Sequence, residues 1–179
     1  MSKKLAFMTV GLLHEPVGHP RVQGFVDRIP AVYDAVDESD GFSARSERVI
    51  ESWTQSWGEV TAPRCYGADQ RMDRIASTLS LWDDLESVAA FAYHGAHGEA
   101  MAKRKEWFQS HELPTYVAWW VEAGDSINWS EASERLDHLH EIGASVHAFN
   151  FINPFDSDGR PCRLNAKAVR GKIAMNANS

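Results

Sequence analysis

The sequence predicts an α+β domain. It is expected to be ferredoxin-like, a four-stranded antiparallel sheet with helices on one face, and to pair into a dimeric α/β barrel. Three observations predict this. Apolar strand-like runs alternate with longer stretches of helical spacing, in the order strand, helix, strand, insertion, strand, helix, strand, helix. The strands are apolar on both faces, so a sheet with helices on one side needs a second cover. A second copy of the sheet supplies that cover most simply, which predicts a homodimer.

Residues 5–13 form a continuous apolar run with Phe7, Thr9 and Val10, suited to a buried strand. Two prolines and a glycine in 14–20 make a loop. Over 21–38, Val22, Phe25, Val26, Ile29, Val32, Tyr33 and Val36 recur at helical steps, and Pro30 is expected to kink or split the helix. Residues 41–46 resemble a strand start. Residues 47–76 are irregular and read as an insertion, a long loop or hairpin carrying Trp53 and Trp57 that is a candidate lid.

Residues 78–82 are the third strand. Asp83 is expected to cap the helix that follows, with Glu86 completing a capping box. Gly95 and Gly98 each cost that helix about 1 kcal/mol relative to alanine, so it should bend or restart there. Residues 115–121 are the fourth strand. Asn128 caps the last predicted helix with Glu131 at the third position, and Gly143 stops it. A short apolar run at 148–151 suits an edge strand. The domain is expected to span 1–155. Residues 156–179, polar and poor in large apolar side chains, are expected to be a loosely ordered tail.

The chain has 179 residues, 44% hydrophobic and 24% charged, as a single globular domain requires. The net charge of −7 argues against a nucleic-acid partner. No apolar run approaches the roughly 20 residues needed to span a bilayer, so no membrane partner is expected. Two distant cysteines, Cys65 and Cys162, fit free thiols in a reducing compartment, and a cytoplasmic location is expected.

Chemistry centres on the helix after the third strand, which carries Tyr93, His94 and His97. If the helix continues through Gly95, the two histidines share a face. A neutral imidazole facing an apolar pocket serves as a general base or an iron ligand. Two histidines alone are too few for a zinc site. Arg45 is placed to meet a ligand carboxylate or phenolate, and Tyr93 to orient one. Trp82, Phe7, Thr9, Phe91 and Trp119 are the candidate lining. No phosphate-cradling glycine loop or nucleophile elbow is present.

The runs Leu79-Ser80-Leu81-Trp82 and Leu85-Glu86-Ser87, then Phe91, Tyr93 and His97, then Arg104 with Glu106-Trp107-Phe108, then Trp119-Trp120-Val121 with Ala123-Gly124, resemble a bacterial family of unknown function. That family is placed in the dimeric α/β-barrel superfamily, beside the antibiotic-biosynthesis monooxygenases. The resemblance covers about residues 5–155. It implies a pocket between sheet and helices that takes a hydrophobic, aromatic or polycyclic small molecule. Oxygenase-like chemistry, as in natural-product tailoring, would proceed there either without cofactor or with haem. Where haem is used, the resemblance makes His97 or its neighbour His94 the iron ligand. The haem-degrading branch also uses an asparagine on the first strand, where this chain has Thr9. A non-redox cyclase, isomerase or dehydratase, or a non-catalytic binding module, fits the same scaffold.

Overall fold

A computed structural model describes residues 3–49, 54–67 and 72–177. Four strands form one antiparallel sheet: β1 (Lys3–Leu12), β2 (Phe42–Arg45), β5 (Ile75–Trp82) and β6 (Tyr116–Glu122), in the order β2-β5-β1-β6. A two-stranded ribbon, β3 (Arg48–Val49) and β4 (Thr54–Gln55), lies within the insertion. The helices are α1 (Pro20–Val26), α2 (Ile29–Asp37), α3 (Leu85–Ala92), α4 (Gly95–Trp107), α5 (Trp129–Ile142) and α6 (Ala166–Asn176).

The predicted breaks are real, for the reasons read in the sequence. Pro30 lies in the first turn of α2, where its missing N–H costs nothing, and the first helical stretch splits into α1 and α2. The second splits at Tyr93 and His94. Gly95 takes φ +58°, and a side chain on Gly98 would sit 2.7 Å from the Tyr93 carbonyl oxygen. Asp84, one residue after the expected cap, accepts from the Ser87 N–H at 2.7 Å. Asn128 caps α5 through the Glu131 N–H, and Gly143 ends it at φ +92°.

Side chains alternate along β1, and each set meets a different layer. Ala6, Met8, Val10 and Leu12 pack with Leu79, Val117 and Trp119 under Trp129, Ala132 and Leu136 of α5. Leu5 and Phe7 pack with Trp82 and Ala118 against Val36 of α2, Leu85 and Val88 of α3, and Phe149. Both faces are therefore covered within one chain, which corrects the expectation of helices on one face only. The face that called for a second copy is filled by α5, with Trp57, Val60 and Tyr66 of the insertion.

The described part of the insertion lies on the side of the sheet opposite His97. It packs against α5, where the buried Asp137 carboxylate accepts from the Arg64 and Cys65 N–H groups at 3.0 and 2.9 Å. Trp53 lies outside the described residues. Residues 148–151 do run beside β6, through a single bridge between Phe149 and Ala118.

The tail, described as far as Ala177, carries a helix where a loosely ordered segment was expected. Asn165 caps α6 by accepting from the Lys167 and Ala168 N–H groups, and α6 docks along α3. Lys172 reaches Asp40 at 2.6 Å and Asp84 at 3.4 Å, and Asn176 accepts from the Asp40 N–H. Ion pairs and caps attach this helix rather than an apolar stripe, so hydrophobic periodicity carried no sign of it.

Candidate functional site

The face of the sheet beneath α3 and α4 carries, from one end, Leu5 and Trp82, then Phe7, Ser80 and Ala118, then Thr9, Thr78 and Tyr116. The first two rows are buried. The third is not: Thr9 and Tyr116 are half-buried and Thr78 is exposed. β2 pairs with β5 only from Trp82 to Ser80, so Thr78 lies past the end of β2; in the next row Gly11 and Ala76 are half-buried, with the Phe108 ring against Gly11. A polar, partly open row thus follows two buried apolar ones on this face. The Thr9 and Thr78 hydroxyls, 2.7 Å apart, form the floor of that row.

Two groups of aromatic rings lie on this side of the sheet. Trp82, Phe91 and His97 follow one another with centroids 5.5 and 4.9 Å apart. Phe7, Tyr116 and Phe151 form a second group, with Phe151 stacked on Phe7 at 5.7 Å and 13° and placed 5.2 Å from Tyr116. Tyr93 closes that group, 6.2 Å from Phe151. Trp82 is fully buried, its indole N–H donating to Ser80 Oγ at 2.9 Å, so it supports the wall from behind.

His97 is the one predicted catalytic residue that is both largely enclosed and chemically poised. The break between α3 and α4 leaves the Ala92 carbonyl free, and His97 Nδ1 lies 2.7 Å from it. A carbonyl only accepts, so Nδ1 carries the proton and Nε2 carries the lone pair. Burial holds the pKa below the ordinary histidine value, against the upward pull of that hydrogen bond. The ring is neutral at neutral pH. Burial also raises the Tyr116 phenol, and the neighbouring Tyr93 pushes it the same way.

Three expected site residues stand elsewhere. His94 is exposed in extended backbone at the cap of α4, because the helix stops before it; it shares no face with His97. Arg45 is committed to Asp37 through two hydrogen bonds of 2.9 and 3.0 Å and lies over the Tyr33 ring, so its guanidinium is already satisfied. Trp119 points to the other face, among the residues beneath α5, since alternation separates it from Ala118. Conversely, Tyr116, Thr78 and Phe151 were not expected. Thr78 was hidden because its place opposite Thr9 and past the end of β2 follows from strand register, which no local pattern encodes.

Haem was the one cofactor expected. Nε2 suits iron, and the Phe91 ring lies against the imidazole with centroids 4.9 Å apart. Among the described residues no three histidine, cysteine or acidic side chains come together as a metal cluster. Two polar clefts, of about 350 and 280 Å³, adjoin along α5 and share Glu131 and Arg135; neither includes His97. No helix among the described residues is long and apolar enough to cross a membrane.

Fold and site together define an α+β protein with two aromatic groups and a threonine pair on one side of an antiparallel sheet. The chain belongs to the family described as "Domain of unknown function (DUF3291)", matched over residues 4–165. α6 lies beyond that match. Solved structures of similar shape include a conserved protein from Methanosarcina mazei Go1, at 11% identity and a TM-score of 0.41, with 66% of this chain and 91% of that one covered. Protein SO0527 from Shewanella oneidensis is similar at 8% identity and a TM-score of 0.41, over 68% and 91%. No curated protein matches the chain.

Proposed function

We propose that the chain is a small-molecule enzyme acting on an aromatic or polycyclic substrate over the Thr9–Thr78 floor, by an oxygenase-like course without cofactor. The observation that carries this reading is the neutral His97 imidazole beside Phe91 and Trp82, on the side of the sheet that also bears the Thr9–Thr78 hydroxyl pair. Ligand sites are mostly apolar and aromatic, with a few polar groups that fix orientation. The strand order and the resemblance to the dimeric α/β-barrel oxygenases support a ferredoxin-like scaffold for it.

In this reading His97 Nε2 removes a proton from an acidic carbon or hydroxyl of the substrate. The charge spreads over the substrate ring; the carbanion forms a C–O bond to O₂, the oxidant, the resulting peroxide takes back the proton held by His97, and loss of water leaves a new carbonyl. Tyr93 and Tyr116 orient the substrate's oxygen. General-base assistance of this kind contributes about 10²–10⁴-fold.

The test is oxygen uptake with anthrone, a flat tricyclic ketone with an acidic methylene. Consumption above the uncatalysed rate is expected, falling at least about 100-fold in His97→Gln. Turnover that persists in both His97→Gln and Thr78→Val removes the assignment. Saturable binding of anthrone with no turnover in the parent protein points instead to a binding module.

A further inference from the structure

The aromatic group beside the floor contains one ring that does not belong to the wall. Phe7 and Tyr116 come from β1 and β6, the body of the sheet. Phe151 comes from an irregular arch over 150–153 and is only half-buried. Its ring lies nearly parallel to Phe7, 13° between planes, and also meets Tyr116 and Tyr93. Its own N–H reaches the Tyr116 hydroxyl at 3.4 Å, a long and weak bond.

The arch is fastened to the body of the protein at its two ends. On one side Phe149 is fully buried and exchanges two backbone hydrogen bonds with Ala118, at 2.8 and 2.9 Å. On the other, the Trp120 indole N–H donates to the Phe155 carbonyl at 2.8 Å, and the Cys162 N–H to the Pro154 carbonyl at 3.0 Å. Between these anchors the arch is held by its own Asn150 side chain, which accepts from the Ile152 and Asn153 N–H groups. Ile152 is 80% exposed, an apolar side chain left in water beside the stacked ring.

We infer that Phe7, Tyr116 and Tyr93 form a slot for one flat hydroxylated aromatic ring, and that Phe151 is an internal occupant a ligand displaces. The inference rests on the pocket proposed above and narrows its ligand to phenol-like arenes. The Phe151 ring, stacked on Phe7, is replaced by a ligand ring whose hydroxyl meets the Tyr116 oxygen, which the Phe151 backbone N–H reaches only at 3.4 Å. Offset stacking of this kind favours flat rings over bulky aliphatic ligands.

The experiment is calorimetric titration with 1-naphthol, and with naphthalene as the hydroxyl-free control. Phe151→Ala is expected to bind 1-naphthol at least tenfold tighter than the parent, and Phe151→Trp more weakly. Tyr116→Phe in the Phe151→Ala background should lose several-fold for 1-naphthol and nothing for naphthalene. Should Phe151→Ala not fold, Phe151→Leu, which keeps bulk without a ring face, should still bind more tightly than the parent. Affinity unchanged or reduced in the folded alanine or leucine variant overturns the inference. Equal effects of Tyr116→Phe on both compounds overturn its hydroxylated class. These titrations read binding alone, so they fail or succeed separately from turnover and from His97.

Discussion

Replacing Asp137 tests how the insertion is held against the sheet. The carboxylate is 2% exposed and sits on α5, facing the turn at Arg64–Tyr66. It accepts two backbone N–H groups there, and the Arg64 guanidinium at 3.3 Å. The guanidinium is three-quarters exposed, so its pairing contributes little. The two N–H groups decide the outcome. Asp137→Ala leaves both without their acceptor at about 1–3 kcal/mol each, and partial access of water to the Arg64 N–H favours a total of about 3 kcal/mol. For a chain of this length each kcal/mol moves the melting temperature by about 2–4 °C, so a fall of about 6–12 °C is expected. Asp137→Asn keeps one acceptor oxygen and should lose about half as much. The Cys65 thiol, pushed up to about 12 by burial first and then by Asp137, should be alkylated faster at pH 8 in the alanine variant. Melting is followed by circular dichroism and alkylation by mass. An alanine variant within about 1 °C of the parent, or an asparagine variant as unstable as alanine, refutes the reasoning.

Gly98→Ala should destabilise despite alanine's better helix propensity, because the new methyl would meet the Tyr93 carbonyl at 2.7 Å; chemical denaturation showing a gain would contradict the helix break. His97 makes stability pH-dependent in a stated direction. Its folded pKa lies below the unfolded one, so between the two values the unfolded chain binds more protons and stability falls as pH falls. The loss begins near the ordinary histidine value of about 6.5 and ends at the folded value. His97→Gln should flatten the part of the slope between pH 7.5 and 5 that denaturation midpoints assign to this ring.

Much of the local structure was legible in the sequence, because its causes are local. Pro30 splits a helix by lacking an N–H, Gly95 and Gly98 interrupt another, and Asn128 and Gly143 bound α5 through their own side chain and backbone freedom. His97 was legible as a candidate because it stands on the helix beside Phe91 and Tyr93. Its tautomer was not, since the Ala92 carbonyl is free only where the helix stops.

What tertiary structure alone decided depends on pairing between distant segments. Strands apolar on both faces require two covers, but nothing in that pattern says whether the second cover is another copy or α5 of the same chain. The same holds for the site. Thr78 meets Thr9 past the end of β2 only through the register of β1, β2 and β5, and Phe151 enters the aromatic group only because Phe149 is fastened to Ala118 thirty-one residues earlier. Arg45 and Trp119 left the site for the same reason: a salt bridge to another element and the alternation of a strand are settled by the neighbour that arrives, and the neighbour is chosen by the whole fold.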